Sequence, residues 1–243
     1  MITGIVVALA EELGTLTTKR LKKGDIDFLT DNIWVVYSGA GSENARVAAE
    51  ALIKRGVSQL ISWGCAAALD ASLQAGDLVL AVSYVDAGQE RYGLENKDWV
   101  NKVETHFSKQ LSVRSGTLAE SKCIIESSLD KAKLAISTGA IALDMESVAI
   151  AKVAKLHRID FLAVRAIADP ITMDLPKAVS YAIDENGEVM LSKLLYYLLL
   201  HPGDLPGLIR LGLYFHSAKN TLKRVANEID VVVNFKSLTL STT

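Results

Sequence analysis

Acidic side chains stand directly after several strand-like runs of the chain. Glu11 and Glu12 follow the run ITGIVVALA, Glu146 follows ALDM, and Asp169 follows FLAVRAIA. Ligands of open α/β sheets bind outside the carboxyl ends of strands, and carboxylates in such a place are candidates for binding and proton transfer. We therefore expect Glu146 and Asp169, which close consecutive strands joined by a crossover helix, to share one pocket.

Each of these residues also has an ordinary structural explanation. An acid in the first turn of a helix, as Glu12 or Glu146 would be, interacts favourably with the helix dipole. Asp169 can serve as a turn residue before Pro170, and Arg165 can form a structural ion pair. The gathering of acids at several strand ends favours a functional site over these separate explanations.

Small residues follow two further strand-like runs. Gly39 and Gly41 in SGAGS allow the backbone to approach a ligand, and Gly64 and Cys65 in WGCAAA suit a floor under a flat ligand. Ordinary close packing of strands and helices would use the same residues. The segment lacks the third glycine and later acid of a dinucleotide fingerprint, which argues against a Rossmann cofactor site.

The elements that must position these residues alternate between strand-like and helical patterns, which predicts a three-layer α/β domain. A helix is predicted from Ser42, as its N-cap, to Arg55, with Gly56 ending it. The predicted strands are Gly4–Ala8, Ile33–Tyr37, Gln59–Trp63, Asp77–Val82, Ser112–Thr117, Ala140–Asp144 and Phe161–Ala166.

The composition of the chain changes after Asp169. All four prolines lie beyond this residue, and the segment becomes rich in Leu and Tyr with a basic end. We predict one domain, residues 1–243, with a core over about 1–169, a helical extension over about 170–228 and a tail over 229–243.

Composition excludes several classes of function. The chain is 50% hydrophobic with a formal net charge of −2, so a large core is expected and nucleic acid is not expected as a partner. Cys65 and Cys123 are too few for a disulfide scaffold and lack metal-ligand spacing, which suits a reducing cytoplasm without a metal site. The longest apolar run, LLYYLLL, is far shorter than the ~20 residues of a spanning helix, which predicts a soluble protein.

The segments ALAEEL, SGAGSENA, LDMESVAIA and VRAIADP together resemble the nucleoside phosphorylase/nucleosidase family. This family includes purine nucleoside phosphorylases and methylthioadenosine/S-adenosylhomocysteine nucleosidases. The resemblance covers about Gly4 to Asp169. It implies a three-layer α/β fold with a central mixed sheet flanked by helices and a helical C-terminal extension, and an enzyme that needs no cofactor.

The resemblance also implies roles for the acids. Glu146 binds the ribose hydroxyls, since an ionised carboxylate accepts two hydrogen bonds from a vicinal diol, and Met145 packs on the sugar. Asp169 delivers a proton to N7 of adenine, Glu12 activates the attacking water, and Asp144 gives orienting support. The other residues expected to contact the substrate are Gly41, Gly64, Cys65, Cys123, Ile124 and Arg165.

The sequence departs from these relatives at informative positions. Leu9 stands where the methylthioadenosine nucleosidases have Met, and Ala168 stands where they have Ser beside the catalytic aspartate. The arginines with which some phosphorylases hold phosphate are missing from AEELGTL and from position 62, which is Ser62. A phosphate dianion needs compensating charge, so water is favoured as the nucleophile, although Arg165 could serve either mechanism.

The C-terminal segments ADPITMDLP and HPGDLPGLIRLGLYFHSAKNTLKRV resemble the hopanoid-associated branch of the family, thought to remove adenine from adenosylhopane. Adenosylhopane is therefore the expected substrate. The alternatives are a methylthioadenosine-type nucleosidase, a phosphorylase and a non-catalytic nucleoside-binding relative. The apolar surface of the extension predicts either peripheral contact with the inner membrane or a homodimer interface.

Overall fold

The computed structural model describes residues 1–93, 97–182 and 190–234. The strands are β1 (Thr3–Val7), β2 (Ile26–Thr30), β3 (Ile33–Tyr37), β4 (Gln59–Ala68), β5 (Leu78–Val85), β6 (Arg91–Gly93), β7 (Val113–Glu120), β8 (Ala142–Asp144) and β9 (Asp160–Asp169). The helices are α1 (Ala10–Leu13), α2 (Ser42–Lys54), α3 (Lys97–Phe107), α4 (Ser128–Thr138), α5 (Ser147–His157), α6 (Lys177–Ala182), α7 (Leu191–Leu200), α8 (Leu205–Ala226) and α9 (Ile229–Val233). A 3₁₀ turn, Pro202–Asp204, joins α7 to α8.

The strands form one mixed sheet in the order β2-β3-β1-β4-β8-β7-β5-β6, with β9 paired to both β4 and β5. Strands β3, β1, β4 and β9 run parallel to their neighbours in that part of the sheet, while β8 runs antiparallel to β4. The pairings β4-β8-β7-β5-β9-β4 therefore close a ring of five strands. The mixed central sheet flanked by helices is the fold that the sequence predicted.

The ring explains how two acid-bearing strand ends meet. Leu143 of β8 and Asp169 of β9 both pair with Ala67, near the end of β4 and on its two sides. The crossover argument expected the ends of β8 and β9 on the same edge of the sheet, which implied parallel strands; β8 runs antiparallel to β4, whereas β9 runs parallel to it, so that implication was wrong. The two acids converge instead because β8 enters antiparallel beside the end of β4.

Burial on both faces of the sheet accounts for its strand sequences. All five residues of β1 and all but the first of β9 are buried, which gives the continuous apolar runs typical of parallel central strands. Helix α2 buries Ala45, Ala48, Ala49 and Leu52, the one-sided spacing of an amphipathic helix. Two large clusters, one on each face, make up most of the core.

The predicted strands all form; Ile33–Tyr37 has the predicted ends, and the others differ at one end or both. Gln59–Trp63 is the first half of a strand that continues to Ala68, because small residues can be buried in a strand as well as in a turn. The sequence analysis missed β2, an edge strand of mixed polarity, and the three-residue β6. It was also wrong about the cap of α2: Gly41, at φ 97°, is the N-cap, and Ser42 is the first helical residue.

The C-terminal extension packs on the core through α8. Its buried residues Ala218, Leu222 and Val225 recur at helical spacing and join the core cluster on that face of the sheet. The segment predicted as a tail starts with α9, whose Val232 and Val233 are buried, and residues 235–243 lie outside the described part of the chain. Over the residues that the structure describes, no helix combines the length and the apolar character needed to cross a membrane.

Candidate active site

A cavity of about 450 Å³ opens where β1, β4, β8 and β9 end. Its wall combines carboxylates with a largely apolar surface, and its volume is that of a small-molecule site. The lining residues are Ala8, Leu9, Glu12, Ala40, Gly41, Cys65, Ala66, Ala67, Cys123, Ile124, Ile125, Leu143, Asp144, Met145, Glu146, Ala168, Asp169, Leu175, Val179 and Leu211.

Glu12 is held in the wall by two backbone N–H groups, one within β4 and one just after β1. It lies on the single turn of α1, and its carboxylate accepts hydrogen bonds from Cys65 N at 2.7 Å and Leu9 N at 3.1 Å. Gly64 makes this approach possible, because a Cβ there would lie 2.6 Å from Glu12 Oε1 and would also collide with Arg165. This glycine of β4 thus makes room for the carboxylate.

The burial of Glu12 changes its acidity. Burial raises the pKa of this carboxyl to about 7, and the charge of Arg165 and the N–H of Cys65 oppose the rise. A carboxyl with such a pKa exchanges protons readily near neutral pH, which is what a general base requires.

Glu146 is held by a backbone N–H group of the turn between β3 and α2. Gly41 N donates a hydrogen bond of 2.9 Å to Glu146 Oε1, which ties the SGAGS turn to the end of β8. Burial first, and then the negative charge of Asp144, raises the pKa of Glu146, while Arg165 and the Gly41 N–H lower it. Asp144 Oδ1 accepts Glu146 N at 3.3 Å and Ser147 N at 3.1 Å, so Asp144 shapes the backbone that carries Glu146.

Arg165 is buried behind the cavity wall. Its Nε lies 2.6 Å from Asp144 Oδ2, and its Nη2 donates to Ser62 Oγ at 2.5 Å and to Ser147 Oγ at 3.0 Å. The guanidinium, 1% exposed, is therefore the buried counter-ion of Asp144. The structural ion pair weighed for this residue in the sequence is present.

Asp169 has a partner that the sequence analysis did not identify. Lys131 Nζ lies 2.6 Å from Asp169 Oδ1, and the lysine side chain is fully buried. Burial raises the pKa of Asp169, while the charge of Lys131 and its hydrogen bond lower it. The hydrophobic pattern of α4 does not indicate that Lys131 is buried, because Leu129 and Ile136 of this helix are exposed while the lysine is inside.

The cavity brings together most of the residues that the sequence marked. Eight of them line the wall: Glu12, Gly41, Cys65, Cys123, Ile124, Met145, Glu146 and Asp169. Gly64 and Arg165 lie behind the lining, where they support Glu12 and Asp144. Asp144, expected to orient its neighbours, both lines the cavity and holds the backbone of Glu146.

Comparison with known proteins identifies the family. Residues 3–196 match the model of the phosphorylase superfamily. The chain belongs to this superfamily. It is therefore a nucleosidase/phosphorylase family enzyme, as the motifs implied.

Relatives in sequence and in structure include nucleosidases and a futalosine hydrolase. The chain is 28% identical over 194 residues to the 5′-methylthioadenosine/S-adenosylhomocysteine nucleosidase of Staphylococcus aureus (strain JH9), with 68% of this chain and 85% of the relative covered. Among solved structures, the futalosine hydrolase of Helicobacter pylori strain 26695 superposes with a TM-score of 0.69 and 16% identity, covering 96% of this chain and 97% of that one.

The methylthioadenosine/S-adenosylhomocysteine nucleosidase of Neisseria meningitidis, in complex with methylthio-immucillin-A, also has a TM-score of 0.69. It is 17% identical and covers 94% of this chain and 98% of that one. At such identities the structural likeness establishes the fold alone. The long C-terminal helix is part of that shared fold.

Proposed function

We propose that this chain hydrolyses the N-glycosidic bond of a 5′-substituted adenosine and releases adenine. The observation that carries the proposal is the placement of Glu12, Glu146 and Asp169 in one cavity wall. A dissociative cleavage needs a group to hold the ribose, a proton for the leaving base and a base for the nucleophile. Three separately held carboxyls can fill these three roles.

The contacts divide the roles among the acids. Glu146, with Oε1 held by Gly41 N, keeps its other oxygen for the ribose hydroxyls. Asp169, with Oδ1 held by Lys131, keeps Oδ2 for N7 of adenine. Glu12 takes the proton of the attacking water, because its pKa of about 7 places it between acid and base at neutral pH.

Water is the proposed nucleophile because the cavity offers no free cation for phosphate. The lining residues of the described chain include no Arg, Lys or His. Arg165, the cation that could have bound phosphate, is paired with Asp144. A phosphate dianion in this cavity would meet the acids Glu12, Glu146 and Asp169 and no unpaired cation among the described lining residues, which strongly disfavours its binding.

The apolar part of the wall suits a 5′ substituent. In addition to the acids, the lining includes aliphatic side chains from three separate segments: Leu9, Leu175 with Val179, and Leu211. A small methylthio group would fit inside the cavity. The fused rings of a triterpene are larger than the nucleoside itself and would have to project from its mouth.

Adenosylhopane is the substrate that we propose, on the basis of the C-terminal segments and of helix α8. This helix turns Leu211 toward the cavity and the exposed residues Leu205, Ile209 and Leu213 outward. An apolar stripe on the outward face of this helix would let the enzyme rest on a lipid surface while the adenosine enters the cavity. Methylthioadenosine, which gives the Staphylococcus relative its name, is the second candidate.

The test is to incubate the protein with adenosylhopane and with methylthioadenosine, each with and without millimolar phosphate. We expect adenine and a free ribose derivative, at a rate that phosphate does not change. A sugar 1-phosphate formed only with phosphate would show a phosphorylase instead. Binding of nucleoside without release of adenine would show a non-catalytic relative, and a strong preference for methylthioadenosine would replace the hopanoid assignment.

A further inference from the structure

Lys131 is a buried cation beside one of the three acids of the cavity. Its ammonium lies 2.6 Å from Asp169 Oδ1 and 2.8 Å from Met173 O, with Pro170 O at 3.4 Å. An ammonium has three N–H donors, and these acceptors account for all three. The three contacts satisfy the hydrogen-bonding groups of this fully buried side chain in a place that water does not reach.

The lysine stands where several segments of the cavity wall are joined. The loop after β9 is fastened to the start of α4, because Ser128 N donates to Asp174 Oδ1 at 2.7 Å and Leu175 N donates to Glu126 O at 2.8 Å. Leu175 and Asp169 both line the cavity. Lys131 therefore connects the position of the catalytic carboxyl to the loop that closes this end of the site.

We propose that Lys131 is a positioning residue for Asp169, which fixes the orientation of the carboxyl and stabilises the carboxylate that forms when its proton passes to the purine. This inference rests on the proposed nucleosidase function. With Oδ1 bound to the ammonium, Oδ2 is the oxygen left to carry the transferred proton. The lysine touches neither the cavity nor the reacting atoms, and it acts through Asp169.

The proton balance of the step is simple. Protonated Asp169 gives its proton to N7 while the C1′–N9 bond breaks, and the electron pair of that bond stays on the base. Adenine leaves as a neutral molecule, and Asp169 is left as a carboxylate beside the unchanged ammonium. Solvent later restores the proton, so Lys131 gains and loses nothing.

Other charges near this end of the site are placed differently. Asp174, the next acid on the loop, uses its carboxylate to accept Ser128 N. Glu12, Asp144 and Glu146 line other parts of the cavity wall, and Arg165 is paired with Asp144. Lys131 is the charged group that forms an ion pair with Asp169 in the described structure. Removal of this lysine should therefore change the acidity of Asp169 directly.

The experiment compares Lys131→Met with wild type, and with Lys133→Met as the control. Lys133 lies on the same helix but is exposed and pairs with Asp130. Loss of a neighbouring cation raises the pKa of a carboxyl by about 1–3 pH units. We expect the alkaline limb of kcat/KM for adenine release to move upward by that amount, with kcat at neutral pH falling about 10–100-fold because the acid is weaker and less well oriented.

A second substrate separates an effect on proton transfer from general damage. A 4-nitrophenyl 5-methylthioriboside releases nitrophenolate, which needs no proton, so Lys131→Met should change its cleavage less than about threefold. Lys131→Arg, which keeps the charge, should recover part of the activity on the nucleoside. Equal losses on both substrates with an unchanged pH profile would overturn the proposal and leave Lys131 a purely structural residue.

Titration of Asp169 without substrate tests the ion pair independently of activity. Carbon-13 labelling of the aspartate carboxyls, with the Asp169 signal assigned by its loss in Asp169→Asn, should show a higher pKa in Lys131→Met than in wild type. An unchanged titration would refute the proposed effect of Lys131 on the acidity of Asp169. A shifted titration in Lys131→Met, together with no release of adenine by the wild type, would instead refute the nucleosidase function and leave the effect of Lys131 on Asp169 standing.

Discussion

At the scale of single residues, the proposed mechanism makes departure of the base depend on Asp169. Asp169→Asn should lower adenine release by about 10²–10⁴-fold, because an amide cannot donate a carboxylic proton. Folding should be largely preserved, since the amide oxygen can still accept from Lys131 at the position of Oδ1. Steady-state kinetics and circular dichroism check both statements, and turnover near that of wild type would remove Asp169 from the mechanism.

The loss of activity on substitution of Glu146 should depend on the number of hydroxyls that the sugar carries. Glu146→Gln replaces a carboxylate that can accept two strong hydrogen bonds with an amide, so binding and turnover should fall together. The comparison that tests this is the same substitution measured with a 2′-deoxy nucleoside, which should lose less. If the two substrates lose equally, the ribose assignment is wrong.

Glu12 should link activity and stability to pH in opposite directions. The base must be ionised, so kcat/KM should decline as pH falls through about 7, the pKa of the folded protein. A raised pKa in the folded state means that stability is full below the unfolded value, near 4.5, and is lost as pH rises through about 7. The loss is on the order of 3 kcal/mol at higher pH.

The Glu12→Gln variant separates the effect of this carboxyl on activity from its effect on stability. Glu12→Gln should be inactive, yet at pH 8 it should unfold at higher denaturant concentration than wild type, while near pH 4 the two should be similar. Urea unfolding at both pH values measures this. A Gln variant less stable than wild type at pH 8 would show that the carboxylate is better accommodated than its burial indicates.

At the scale of elements, the site depends on the close meeting of β4 with α1 and β9. Gly64 of β4 is the point of closest approach, since a Cβ there would enter the space of Glu12 and Arg165. Gly64→Ala should therefore destabilise the protein by about 1–3 kcal/mol and reduce adenine release, because both side chains must shift. Denaturant unfolding and kinetics measure the two effects.

The control for this change is Gly212→Ala, in the exposed part of α8. A Cβ at position 212 meets no atom within 4 Å. Alanine favours a helix over glycine by about 1 kcal/mol, so this variant should be as stable as wild type or more stable, with unchanged activity. Equal stability and equal activity of the two alanine variants would show that Glu12 and Arg165 do not pack closely against Gly64 in solution.

At the scale of the whole molecule, the lipid hypothesis makes the outward face of α8 the surface that meets a membrane. Ile209 and Leu213 are 57% and 65% exposed. Changing both to Ser should weaken binding to anionic liposomes about 10-fold or more and impair cleavage of adenosylhopane, because apolar side chains drive interfacial binding. Cleavage of methylthioadenosine should be spared, since that substrate reaches the cavity from water.

Sedimentation of the same variant distinguishes a lipid surface from a second copy of the chain. The control is Leu156→Ser on α5, at a position that is also exposed. A change from dimer to monomer, or equal losses on both substrates, would assign this face of α8 to an interface between subunits and remove the lipid hypothesis.

The sequence by itself identified the acids that line the cavity. Glu12, Glu146 and Asp169 follow strands that are recognisable from local patterns of Val, Ile and small residues, and all three line the cavity. Local patterns carry this information because strand periodicity and burial depend on neighbours in the chain. The motifs around these acids also carried the family assignment, which the match over residues 3–196 confirmed.

The tertiary structure alone decided how those residues are held. The antiparallel entry of β8, the pairing of Arg165 with Asp144 and the burial of Lys131 against Asp169 follow from contacts between distant parts of the chain. Lys131 and Asp169 are 38 positions apart, and nothing in the pattern of α4 indicates that a charged residue turns inward. The partner of a buried charge is set by which elements pack together, and that packing is a property of the whole fold.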